Sequence, residues 1–271
     1  MKKIKLVGLL LTSLVLVAGC SVTNDKETSS TDNKSEIVTK DKSEKSGEVV
    51  FYITRHGKTL FNEMKKVQGW SDTPLTEPGV EVAKKLGEGL KAENITFDKV
   101  YSSDSGRAIE TTELITKTTQ DKKTEIIQDK NLRELYFGKF EGDLDEYMWG
   151  EAAKTLGYEN EEAVKKDIKE LGLEKITNAM AENDETNQFE TYDTVRKRMQ
   201  KEVTKIAEET SKEGGGNVLI VSHGMAITAL LSDWTDEDTD RPLPNASISK
   251  VVYKDGTFTV ETVGDTSFIE K

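Results

Sequence analysis

One cysteine, Cys20, serves the whole chain, so nothing after it can form a disulfide, a cysteine nucleophile or a thiolate metal site. Histidine is almost as scarce. The two present, His56 and His223, lack the close i, i+4 spacing that a paired histidine metal site on a helix requires. A basic excess is also missing: the net charge is −12, which leaves no cationic footprint to gain from counterion release on nucleic acid or from an anionic membrane surface. No internal repeat of solenoid length occurs. Long apolar runs are confined to Leu6–Val17.

That run follows Lys2, Lys3 and Lys5 and ends in Val17-Ala18-Gly19-Cys20. Its apolar part is short for a membrane span, and the basic start with a small-residue close reads as a secretory signal over 1–19. The close resembles the lipobox of bacterial lipoproteins, which implies lipidation at Cys20. The other readings of the segment are a plain signal peptide and an uncleaved anchor. Two acyl chains would give stable attachment to the membrane, with the chain facing the extracytoplasmic side. Residues 20–46 are Ser, Thr, Asn, Asp, Glu and Lys with few apolar side chains, the composition of a disordered tether. A single domain is expected from 47 to 271.

Its first stretch, Val49-Val50-Phe51-Tyr52-Ile53-Thr54, is apolar and β-favouring and stops at Arg55-His56-Gly57. Such a run suits a strand covered on both faces of a parallel sheet, where ligands sit beyond the carboxyl ends of the strands. Asn217 to Ser222 followed by His223-Gly224 repeats the same grammar. Between them, Thr76 and Pro78 mark the start of a helix to about Lys91, Asp98–Ser103 reads as a strand, and Asp104–Thr119 as a helix. A short strand is expected at Glu125–Ile127 and a glycine-bearing loop at Asn131–Gly142. Residues 143–187 are weakly amphipathic and glycine-punctuated, which predicts a cap insert of two or three helices. Thr191–Lys212 is the clearest helix, and Ser249–Tyr253 with Thr257–Val263 flank a hairpin turn at Lys254-Asp255-Gly256. The expected fold is α/β: a mostly parallel central sheet flanked by helices on both faces, with a helical cap insert and a C-terminal hairpin.

Arg55, His56, Arg107 and His223 all fall just after predicted strands or at helix starts. Guanidinium forks match phosphate oxygens, and a neutral imidazole can attack phosphorus, so together they describe a phosphoryl pocket. Singly, each has an ordinary explanation as a surface arginine or a core histidine.

The segments Arg55–Asn62, Gln68–Gly79, Ser102–Thr111, Leu132–Gly142 and Val221–Gly224 resemble, in order, the signature of the histidine phosphatase superfamily, the phosphoglycerate-mutase-like proteins, and Leu243–Ser249 resembles the family's closing strand. The resemblance spans about 49–269 and leaves the insert unmatched. It implies that His56 is the nucleophile that becomes a phosphohistidine, that Arg55, Arg107 and His223 hold the phosphoryl oxygens, and that Glu134 is the general acid and base. It also implies that Asn62 is an additional donor, that Gln68 and Gly69 lie at the pocket edge, and that no cofactor or metal is needed. Glu141 is the nearest competitor to Glu134. Glu190 resembles part of a Gly-Glu-Ser element, but Phe189 stands where the glycine would be, and it is left outside the site.

Leu135–Gly142 looks like the phosphatase branch, so the expected activity is hydrolysis of a small phosphomonoester by a membrane-anchored enzyme. Phosphoglycerate-mutase-type phosphoryl transfer is the alternative within the family. A catalytically silent ligand-binding lipoprotein is the alternative outside it.

Overall fold

The structure, a computed structural model, describes residues 46–119 and 124–270. The expectations for the signal segment, for Cys20 and for the tether up to residue 45 lie outside the described residues. From Val49 the elements are β1 (Val49–Arg55), α1 (Leu60–Glu63), α2 (Glu77–Ala92), β2 (Lys99–Ser102), α3 (Gly106–Thr119) and β3 (Ile126–Gln128). They continue with α4 (Asp145–Leu156), α5 (Glu161–Lys166), α6 (Ile168–Leu171), α7 (Leu173–Ala181), α8 (Tyr192–Lys212), β4 (Gly216–Ser222), α9 (Gly224–Leu231), β5 (Ile248–Lys254) and β6 (Thr257–Asp265).

The six strands form one sheet in the order β3-β2-β4-β1-β5-β6. Strands β3, β2, β4 and β1 run parallel, and β5 and β6 close the far edge as an antiparallel hairpin. The expected α/β architecture is therefore present. Strand β1 sits inside the sheet and is covered on both faces, which is why it carries an apolar run rather than an alternation. Its Phe51 and Ile53 join a core with α8, α9 and the cap, while Tyr52 turns to the opposite core against α2 and α3. Fully burying one such side chain contributes about 1.5–3 kcal/mol. Both cores thus fix the strand whose end carries Arg55 and His56.

Helix starts follow their capping chemistry. Thr76 accepts from the Gly79 N–H with Pro78 in the first turn of α2, and Thr191 accepts from the Thr194 N–H at the start of α8. The insert departs from expectation in one respect: it folds as four helices, α4 to α7, rather than two or three. Asp167 ends α5 and opens α6, and Gly172, at φ 77°, ends α6 before α7 begins. These breaks divide a stretch whose composition is helical throughout, so its weak amphipathicity reflects short pieces facing different ways. Met148, Ala152, Val164, Ile176 and Met180 pack into the same core as α8 and α9. The cap shares its interior with the sheet's helical layer. Among the described residues no helix is long and apolar enough to cross a membrane.

Candidate active site

Parallel pairing of β1 with β4 sets Arg55 opposite Ser222, so the two histidines emerge side by side at the strands' carboxyl ends. The His56 N–H donates to the Ser222 carbonyl at 3.0 Å, and the imidazole rings lie 5.2 Å apart between centroids. Both rings are buried.

Their hydrogen bonds fix the tautomers. His56 Nδ1 lies 2.7 Å from the Gly57 carbonyl, which can only accept, so Nδ1 carries the proton and Nε2 keeps its lone pair. His223 is the reverse: its Nδ1 accepts from Arg107 Nη2 at 2.9 Å, and its Nε2 donates to Ser103 Oγ at 2.8 Å. Burial, then the charges of Arg107 and Arg55, hold the His56 pKa well below the usual histidine value. Burial followed by the charge of Arg107 does the same for His223. Both imidazoles are therefore neutral near pH 7, the state in which one can act as a nucleophile and the other as a hydrogen-bond donor.

Arg107 opens α3 and is 1% exposed. Its guanidinium donates to the Ser71 carbonyl (2.9 Å), Asp72 Oδ1 (2.8 Å) and the Gly69 carbonyl (2.7 Å), besides His223. Its Nε is buried without a partner. Arg55 repeats the feature: Nη1 donates to the Leu243 carbonyl at 2.6 Å, and Nε is buried and unpaired. Two unpaired guanidinium donors beside two imidazoles form an anion site whose protein bonds are incomplete, since buried donors are ordinarily satisfied.

Glu134 is 6% exposed. Its Oε1 accepts from the N–H groups of Leu135 and Ala226, both at 2.8 Å, and its Oε2 from Met225 at 3.0 Å. Met225 and Ala226 belong to the first turn of α9, where orphan amides and the helix dipole favour a carboxylate. Burial nevertheless outweighs these bonds and the charges of Arg107 and Arg55, and pushes the Glu134 carboxyl above its ordinary pKa. The protonated form is thereby retained to a higher pH than in water.

Arg55, His56, Asn62, Gln68 and Glu134 line one cavity of about 230 Å³. Thr59 and Asn62 form a capping box at α1 in which Asn62 Oδ1 accepts from the Thr59 N–H, leaving the Asn62 amide N–H₂ to donate. Gln68 is fixed by Thr59 Oγ1, which donates to it at 2.5 Å, and by its own bond to Thr73 Oγ1 at 2.9 Å.

Arg107, His223 and Gly69 are not among the cavity's lining residues, so Gly69 differs from its expected place at the pocket edge. Its carbonyl holds Arg107, and a Cβ built on it would run into the Glu141 carboxylate and the Leu135 carbonyl. Close packing of two loops is therefore what requires glycine there.

Glu141, the competitor for acid and base, is committed elsewhere. Its carboxylate accepts from the N–H groups of Gly69, Trp70, Ser71 and Phe137 and so binds the Gln68–Ser71 loop.

The rest of the cavity wall comes largely from the cap and is mostly apolar: Phe137, Met148, Trp149, Ile168, Leu173 and Met180. Lys66, Asp145 and Arg241 add charges of both signs. A second, more open groove of about 640 Å³ passes Glu174, Asp233, Glu237 and Asp240 and contains neither histidine. Its acidic lining repels anions, whereas the smaller cavity, with Arg55, suits them. Among the described residues no group of three or more His, Cys, Asp or Glu is arranged to hold a metal ion.

Sequence reading missed Asn245, whose Nδ2 donates to the His56 carbonyl at 2.9 Å. The segment around it, Leu243–Ser249, expected as a closing strand, begins with a turn in which the Ala246 N–H donates to the Arg55 carbonyl at 2.9 Å, and strand β5 starts only at Ile248. The resemblance of that segment was the one signal, and the Asn245 contact spans 189 positions.

Comparison with known proteins places the chain in a family. The family described as "Histidine phosphatase superfamily (branch 1)" matches residues 51–161 and 143–266. A broad-specificity phosphatase of Saccharomyces cerevisiae (YOR283W) is 32% identical over 224 residues, covering 80% of this chain and 86% of the yeast protein. The crystal structure of a phosphoglycerate mutase from Bacillus anthracis superposes with a TM-score of 0.79 at 44% identity, over 84% of this chain and 98% of that one. The Bacillus stearothermophilus protein YhfR gives a TM-score of 0.62 at 29% identity, over 82% of this chain and 99% of its own.

Proposed function

We propose that this chain, which belongs to the histidine phosphatase superfamily and is an enzyme of that class, hydrolyses small phosphomonoesters through a phosphohistidine on His56. His56 Nε2 attacks phosphorus, the P–O bond to the alcohol breaks, and Glu134 gives its proton to the leaving alkoxide. Water then attacks phosphorus, Glu134 takes a proton from it, and the P–N bond breaks to release inorganic phosphate. The unpaired Nε atoms of Arg55 and Arg107, with Asn62, stabilise charge on the phosphoryl oxygens, and His223, with both ring nitrogens engaged, holds the Arg107 guanidinium in place.

The observation that carries hydrolysis over mutase chemistry is the cavity. At about 230 Å³ it has room for a phosphoryl group and a small alcohol. Its cap side offers Phe137, Met148, Trp149, Ile168, Leu173 and Met180, which give a second phosphate little purchase. Lys66 and Arg241 are the cations there, and Asp145 opposes them. The phosphoglycerate mutase likeness keeps phosphoryl transfer as the second reading.

Purified protein from Gly47 onward should release phosphate from a panel of small monoesters. The pH profile follows from the two carriers: His56 stays neutral down to acid pH, and Glu134 is protonated only below its raised pKa. For an alkyl phosphate, kcat/KM therefore falls as pH rises through the Glu134 pKa, and the optimum lies on the acid side. Efficient isomerisation of 3-phosphoglycerate with 2,3-bisphosphoglycerate, without net phosphate release, would overturn hydrolysis.

The same reading places the enzyme on the extracytoplasmic side of the membrane, anchored by lipid on Cys20. Its support is the basic, apolar and small-residue order of Met1–Cys20. In cells making the full chain, phosphatase activity should sediment with membranes, and Cys20→Ser should move it to the soluble fraction. Activity that stays with membranes in the variant refutes the anchor.

A further inference from the structure

Glu190 was set aside on sequence grounds, and the structure gives it a partner that links it to Glu134. Arg198, in the second turn of α8, uses three guanidinium N–H donors on the Asn131–Glu134 backbone and two on Glu190. Its Nη1 donates to the carbonyls of Asn131 (3.0 Å) and Arg133 (2.7 Å), and its Nη2 to the carbonyl of Glu134 (2.7 Å). The remaining donors, on Nε and Nη2, go to Glu190 Oε1 and Oε2, each at 2.9 Å.

Glu190 completes the clasp. Its Oε2 accepts from the Tyr136 N–H at 3.0 Å, and its own N–H donates to the Tyr136 carbonyl at 2.9 Å. Trp70 Nε1 adds a second donor to the Glu134 carbonyl at 3.0 Å. Both members of the ion pair are only 16% exposed.

We infer that Arg198 and Glu190 are positioning residues for proton transfer, clamping the Asn131–Tyr136 backbone from α8 while the α9 amides hold the Glu134 carboxylate. The inference rests on the hydrolase reading above. A carboxyl that must reach the leaving oxygen at hydrogen-bond distance loses efficiency steeply when its backbone shifts by about 1 Å. Planar, five-donor geometry is what the clamp uses, so lysine, with three donors on a point charge, cannot replace it. Arg198 does not itself line the cavity; its hydrogen bonds reach the site through the backbone of Glu134, and its charge also helps to keep His223 neutral.

The test exploits leaving groups. p-Nitrophenolate departs without a proton, whereas a primary alkoxide needs one, and kcat/KM reports the phosphorylation step alone. Arg198→Gln should lower the ratio of kcat/KM for propyl phosphate over p-nitrophenyl phosphate by at least about tenfold, approaching Glu134→Gln. Both substrates are read on one preparation, so the ratio is independent of the folded fraction. Loosening also admits water to Glu134 and should move the alkaline limb of the propyl phosphate profile to lower pH.

Arg198→Lys and Glu190→Gln should shift the ratio in the same direction, and they carry the test if Arg198→Gln does not fold. Equal losses on the two substrates with an unmoved pH profile would make the clamp merely structural and overturn the inference. A ratio unchanged in Glu134→Gln would overturn it through the acid assignment. Wild-type protein that hydrolyses neither ester would instead refute the hydrolase reading beneath it.

Discussion

His56→Ala is expected to lower kcat/KM for p-nitrophenyl phosphate by on the order of 10⁴-fold, about 5.5 kcal/mol of transition-state stabilisation. The loss is large because no neighbouring group can substitute. His223 is the other imidazole, and its Nδ1 is occupied by Arg107 while its Nε2 carries the proton. Nor does water inherit the role on the proposed mechanism, in which Arg55, Arg107 and Glu134 serve a nucleophile at the end of β1. The fold should survive. His56 makes its backbone bond to Ser222 whatever its side chain, and its ring contributes one local bond to Gly57. Rapid-quench labelling should show phosphohistidine in the wild type and none in the variant. Turnover within tenfold of wild type would eliminate the phosphohistidine route.

Arg107→Lys should cost on both axes. Removing one preorganised charged donor from a developing oxyanion costs about 10²–10³ in rate. The structural cost comes from the acceptors left behind: the carbonyls of Gly69 and Ser71, Asp72 Oδ1 and His223 Nδ1 all depend on this guanidinium. An ammonium cannot reach four acceptors spread about a planar fork. Unsatisfied buried acceptors cost roughly 1–3 kcal/mol each, and Asp72 can turn partly to water, so a net loss of about 2–4 kcal/mol is expected. Urea denaturation measures it, and activity per folded molecule measures the rest. A variant with wild-type stability and wild-type kcat/KM would remove Arg107 from the site.

The two histidine strands, the α2 and α8 helices and the closing hairpin were legible because each is written locally. Val49–Thr54 is an unbroken apolar run, Thr76 and Thr191 are caps in sequence, and Asp255-Gly256 is a turn. The cap was legible in kind but not in number, since the breaks at Asp167 and Gly172 interrupt a uniformly helical composition.

Within the site, residues beside glycines at strand ends were readable and their supports were not. Glu141 and Glu134 have the same side chain seven positions apart in one loop. What separates them is which amides they meet: those of residues 69–71 and 137 for one, those of α9 and Leu135 for the other. Arg198 reads as a surface residue of an amphipathic helix until tertiary packing places carbonyls 64 to 67 positions away in front of it. Long-range partners of this kind leave no periodic trace.

Helix α9 begins at the residue after His223, and its second and third amides grip Glu134. On the proposed mechanism, the histidine that holds Arg107 and the carboxyl that carries the proton therefore meet at one helix end. The bonds that hold these two side chains come from residues 103–107, 135, 225 and 226, all outside the cap. On the proposed reading, the proton carrier and the wall that selects the alcohol therefore have separate supports. Trp149 and Ile168, on the cavity, can change to suit another leaving group, while Ala152, Val164 and Ile176 are bound to the core that α8 and α9 share.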